Sequence, residues 1–270
     1  MVWIDITELI NIKIRRSISM KSAGSLQQGA PLYVSSRKIS IQAPFRWLAK
    51  AWQDYRRAPL HSLVYGFIFA AIGGILVLFS QYEQNYFLAG LLVSVLIIGP
   101  ALAFGMYDIS RLLEENQEPS FVHQRTNAIR QMGRVLMLIM LLSLTFLVLL
   151  LVTPMVQSMF SAAKPFAVTA TVPLSYSDTL FVYGAFAYVL FWVSMFALPM
   201  ILGQDADAMT AITTSIYAVW RNKWVLSVWA LVIVGLTAVG FATALIGFIL
   251  IVPLLGYATW HGYRETILSE

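Results

Sequence analysis

Cysteine is absent from the 270 residues, which excludes a disulfide framework, a thiolate metal site and a cysteine nucleophile. Charge is scarce: 11% of the residues are Asp, Glu, Lys or Arg, against about 25% in soluble domains. Residues 1–20 carry no apolar h-region of the kind a cleaved secretory leader needs, so the first long apolar run is expected to act as an uncleaved signal. The chain has no P-loop, no G-x-G-x-x-G, no H-E-x-x-H and no G-x-S-x-G. Its long apolar runs hold no Asp, Glu, Lys or Arg. Ion-coupled transporters and proton pumps keep such residues at mid-membrane, where they carry the coupling ion.

What is there is apolar surface, 59% of the residues, gathered into uncharged runs. A span needs roughly 17–25 such residues. The runs predict an all-α membrane protein, a bundle of six transmembrane helices, over residues 43–268. The spans are expected near 60–80, 86–107, 135–156, 179–202, 224–241 and 243–260. The last two come from one uncharged stretch, Trp224–Trp260, whose 37 residues are too many for a single helix. It is divided near Phe241–Thr243, and a re-entrant segment is the alternative. Residues 1–42 are Ser/Gln-rich and basic and read as a disordered tail. Met20 is an alternative start.

Orientation follows from the basic residues. Every Lys and Arg except Lys164 falls in segments 1–59, 108–134, 203–223 or 261–270, all on one side of the predicted bundle. That side is expected to be cytoplasmic and the membrane to be the cell inner (plasma) membrane. The net charge of +5 sits beside the apolar runs. It therefore points to the bilayer and its anionic headgroups, not to nucleic acid. The clearest surface segment precedes span 1. There Phe45, Leu48, Trp52 and Tyr55 share one helical face and Arg46, Lys50, Gln53 and Arg57 another. Arg46, Trp47, Lys50, Trp52 and Arg57 are the expected membrane-surface residues.

Similar amphipathic stretches precede spans 3 and 5, and spans 2, 4 and 6 each carry a proline near the inner end: Pro100, Pro199 and Pro253. The chain thus also divides into three tandem units of interfacial helix plus helical hairpin, with simple tolerance of proline in membrane helices as the competing explanation. Each proline would free the carbonyl four residues earlier, on Leu96, Met195 and Ile249. Those carbonyls must then face the bundle interior or a wet cavity. Such a cavity would be lined by Asp108, Asp205, His261 and Arg264, the candidate ligand-binding residues. Asp205-Ala206-Asp207 reads first as a helix cap. His61 and His261 lie at the same membrane level, but two histidines do not make a metal site. No metal, cofactor or catalytic residue is assigned.

Three blocks carry a family resemblance. Ala197-Leu198-Pro199-Met200-Ile201-Leu202-Gly203-Gln204-Asp205-Ala206-Asp207 is one. Val252-Pro253-Leu254-Leu255-Gly256-Tyr257-Ala258-Thr259-Trp260-His261-Gly262-Tyr263-Arg264 is the second, and Trp52-x-Asp54 with Pro59, Ser62-Leu63 and Tyr65-Gly66 the third. Together, over about residues 43–268, they resemble a bacterial family of predicted integral membrane proteins catalogued as domain of unknown function 2189. Tyr257 stands where that family often has His. The resemblance implies a six-span inner-membrane protein and carries no activity with it. Two functions are expected from the residues. One is a non-enzymatic accessory or assembly protein that meets other membrane proteins; the other is a permease or channel for a small neutral or lipid-like solute.

Overall fold

A computed structural model describes residues 33–80, 99–162 and 176–267. Residues 34–270 form one compact unit, to which everything below refers. The expected tail to residue 32, the outer part of span 2 and the segment around Lys164 lie outside the described residues.

The described chain is helical. Helix α1 (Ala43–Arg57) and helix α2 (Pro59–Ser80) are separated by Ala58 alone. Proline disfavours helical backbone in the residue before it, and Ala58 adopts φ −129°, ψ 58°. Helix α2, at about 1.5 Å per residue, is long enough to cross a hydrocarbon core. Helix α3 (Gly99–Glu114) leads to helix α4 (Phe121–Ala162), which is unbroken for 42 residues. The amphipathic stretch expected as a separate interfacial helix before span 3 is therefore continuous with that span. Nothing between Phe121 and Val135 stops a helix: the stretch has no proline, and its one glycine, Gly133, keeps helical backbone.

Span 4 is divided. Helix α5 (Tyr176–Ser194) ends at a turn, and helix α6 (Ala197–Gln204) restarts with Pro199 in its first turn. Proline has no N–H and collides with the carbonyl four residues back. The break leaves backbone groups that a membrane interior cannot solvate. Ser215 repairs it: its hydroxyl donates to the Trp192 carbonyl at 2.8 Å and accepts from the Phe196 N–H at 3.1 Å. Ser215 belongs to helix α7 (Ala208–Arg221), which leads through Asn222 into helix α8 (Lys223–Ala242). A turn over 243–247 joins α8 to helix α9 (Phe248–Thr266). In it Ala244 and Leu245 take positive φ, 52° and 72°. The Thr243 hydroxyl accepts from the Gly247 N–H at 2.9 Å.

Among the described residues, four helical segments are long and apolar enough to cross a membrane: Pro59–Leu78, Ile129–Leu149, Gly184–Gln204 and Lys223–Ala242. The protein is an integral membrane protein with several such helices. Helix α9 is different, being buried on every side from Gly256 to Tyr263. It is the central post, packed by α1, α2, α3 and α8. Pro253 sits inside it. The core lies at the end of the bundle that carries most of the charge, around Trp47, Trp229, Trp260, Tyr257 and Phe196. Apolar residues toward the other end, such as Phe67, Leu78, Leu231 and Val234, stay exposed on the helix surfaces, as lipid-facing residues must.

Two expectations change here. Residues 34–40 are not a loose tail: Arg37 N–H donates to the Thr266 carbonyl at 2.8 Å, and Ser36 pairs with Ile267. Asn222 holds the same strap, its Oδ1 accepting from the Ile39 N–H at 3.0 Å and its Nδ2 donating to the Arg37 carbonyl at 2.8 Å. Trp47 is not a membrane-surface residue, being 0% exposed. The face that α1 buries is Ala43, Trp47, Ala51 and Asp54, a helical stripe of small residues and one indole. Small residues let α1 approach α9 closely: a methyl on Gly262 would stand 3.1 Å from the Trp47 ring.

Candidate functional site

The charged ends of α1, α3 and α9 meet in a buried polar cluster. Asp54 comes from the inner stripe of α1, Ser110 from α3 and His261 from α9. Asp54 Oδ2 receives His261 Nε2 at 2.8 Å and the Ser110 hydroxyl at 2.5 Å. Ser110 Oγ also lies 3.4 Å from His261 Nε2. Asp54 and His261 are each 6% exposed and Ser110 0%. The imidazole tautomer with its proton on Nε2 is the one that satisfies the Asp54 oxygen. His261 Nδ1 is buried and has no hydrogen-bond partner among the described residues.

Aspartate, histidine and serine suggest a nucleophilic triad, but the connectivity differs from one. A triad sets the acid on one imidazole nitrogen and the serine on the other, so that the base takes the serine proton. Here the acid and the serine share Nε2, and the serine donates to the acid. The arrangement acts as a clamp on three helix ends. Beside it the Ser62 hydroxyl donates to the Ala58 carbonyl at 2.8 Å, and its oxygen lies 2.8 Å from the Tyr257 hydroxyl. That joins α2 to the same post.

Ion pairs ring the clamp. Trp47 Nε1 donates to Glu265 Oε2 at 2.9 Å, and Arg46 pairs with Glu265. Arg264 Nε donates to Glu114 Oε2 at 3.1 Å, and Trp260 Nε1 reaches the same oxygen at 3.3 Å. Tyr263 packs against Trp260, and burial pushes its phenol up to about 12.

The four residues expected to share a cavity take separate partners. Asp108, fully buried, accepts from Arg111 Nε at 3.1 Å and Nη2 at 2.7 Å. Asp205 is the C-cap of α6, at φ 52°, and pairs with Arg134 at 2.6 Å. His261 is in the clamp and Arg264 is on Glu114. Of the four, Arg264 alone lines a described cavity, together with Arg111, Glu114, Glu115, Gly203 and Trp260, with a volume of about 300 Å³. Asp207 is the N-cap of α7, accepting from the Thr210 N–H at 3.0 Å. Hydrogen bonds from Thr210 hold its carboxyl below the usual range. His61 stacks on Phe121 with ring centroids 4.3 Å apart. Among the described residues no group of three or more His, Asp and Glu could hold a metal ion.

A second cavity, about 310 Å³, lies among α3, α4, α5, α6, α8 and α9 and is mostly apolar. Its polar lining is the hydroxyls of Tyr107, Ser194 and Thr259. Tyr107 bonds to Thr259, Thr259 donates to the Leu255 carbonyl, and Ser194 donates to the Leu190 carbonyl.

Residues 87–203 match the model of a family described as predicted integral membrane proteins, domain of unknown function 2189. The resemblance read from the sequence is supported over that stretch, which takes in α3, α4, α5 and most of α6. The blocks around Trp52–Gly66 and Val252–Arg264 lie outside it. No curated protein and no solved structure matches the chain.

Proposed function

We propose that this chain is a six-span accessory protein of the inner membrane, without enzymatic activity, which helps to assemble or anchor other membrane complexes. Its termini lie in the cytoplasm, by the distribution of Lys and Arg. The observation that carries the reading is the clamp. Asp54, Ser110 and His261 are the most reactive-looking group in the described chain, and their polar atoms bond to one another. They fix helix ends in place, and none of the three is more than 6% exposed. Outside the clamp, α1 presents Arg46, Lys50 and Arg57 beside Trp52 on its exposed surface, suited to anionic headgroups or an acidic partner.

The second reading, a permease for a small neutral or lipid-like solute, is favoured by the apolar cavity among α3, α5 and α9. Purification from native membranes in a mild detergent separates the two. A stoichiometric partner protein that survives washing supports the accessory role. A chain that purifies alone and moves a neutral solute in proteoliposomes overturns it in favour of the permease.

A further inference from the structure

The apolar cavity and the charged cavity follow one another along the same helix faces. On α3, Pro100, Ala103 and Tyr107 line the first, and Arg111 and Glu114 line the second. Steps of three and four residues keep all five on one face. Leu198 and then Gly203 follow along α6, and Thr259 is followed by Trp260 and Arg264 on α9. On α3 the apolar cavity is thus followed by the charged one. We infer that the two cavities form one slot, a binding site for one phospholipid of the leaflet at the charged end, with an acyl chain in the apolar part and a zwitterionic, amine-bearing headgroup at the charged mouth.

The chemistry of the lining selects this occupant. The hydroxyls inside the slot bond to one another or to helix carbonyls, so the slot asks for no polar group. Its volume is at the small end for ligand pockets, roughly 300–1,000 Å³, which fits a single chain. The mouth holds two arginines and two glutamates, so its lining charges cancel. Asp108, buried behind Arg111, adds a further negative charge. An anionic headgroup would compete with these carboxylates for the guanidiniums. A zwitterion matches both signs, with its phosphate toward Arg111 and Arg264 and its ammonium toward Glu114 and Glu115. The arginine side chains are 22% and 43% exposed, within reach of a headgroup.

The test uses the full chain, washed extensively in mild detergent, with bound phospholipid extracted and quantified by headgroup. Phosphatidylethanolamine is expected at stoichiometric levels and in excess over phosphatidylglycerol. Arg264→Gln should lower its retention by about tenfold, the loss of one charge-assisted hydrogen bond. Ala103→Phe should empty the slot whatever the headgroup. Should that variant lose its helical circular dichroism, Leu142→Trp blocks the slot from α4 instead. Absence of tightly held lipid, retention unchanged by the slot variants, or equal retention of the two headgroups would overturn the assignment.

Discussion

A methyl group placed on Gly66 of α2 would stand 2.1 Å from the carbonyl oxygen of Ile249 on α9. That carbonyl is the one Pro253 leaves without its helical N–H donor. The glycine and the proline therefore belong to one device: the proline frees an acceptor, and the missing side chain lets α2 close over it. Gly66→Ala is expected to force the helices apart and to cost about 1–3 kcal/mol, the usual penalty of overpacking. Thermal unfolding in detergent would measure it, and an unchanged midpoint would contradict this account of the contact.

Asp54→Asn and His261→Gln should each destabilise the protein by about 1–3 kcal/mol, since each leaves a buried polar group short of a partner. Because both act through the same bond, the double variant should cost less than the sum. Additive losses in the four-variant cycle would show that the two side chains do not work as a pair.

Asp207→Ala removes the α7 cap and should cost about 1 kcal/mol. The Asp207 carboxyl is lowered by hydrogen bonds from Thr210. Its contribution is therefore present above the ordinary carboxylate range and fades as pH falls through the lowered folded value. Asp207→Asn keeps the cap and should flatten that acid limb. A variant whose stability still falls with acid as steeply as the wild type would place the titration elsewhere.

Reporters fused at either terminus or near Asn116 are expected in the cytoplasm. Those at Lys164 and Ala242 are expected on the other side. A cytoplasmic signal from Ala242 would mean that α8 and α9 form a re-entrant pair, not two crossings.

The helical membrane class was legible in the sequence because uncharged runs leave a chain few alternatives. A division of 224–260 was expected from length, and the chain turns over 243–247. The clamp was not. Asp54 follows Ala43, Trp47 and Ala51 at steps of four and three, yet the face of Phe45, Leu48 and Trp52 carries the stronger apolar signal. An acid lying in line with two alanines was the available signal, because a small-residue stripe marks the face that packs closely. Ser110 offered none, for a lone serine at the end of an apolar run is commonplace. Asp108, Asp205, His261 and Arg264 share a membrane level in the sequence. A linear pattern does not tell which of many nearby opposite charges each will take. Nor are Pro199 and Pro253 equivalent: Pro199 accompanies a break that Ser215 mends, while Pro253 sits in an unbroken helix.

The strap at 34–40 and the buried face of α1 both close on α9, far downstream in the sequence, with Ser36 meeting Ile267. During synthesis the amino-terminal part emerges first. Trp47 and Asp54 must therefore wait at the membrane surface until α9 has been made and inserted. A ribosome stalled before residue 248 would leave Trp47, Ala51 and Asp54 uncovered and the other helices without their central post. Completion of the fold thus waits on α9, and products truncated before it would expose a surface that quality-control proteases can recognise.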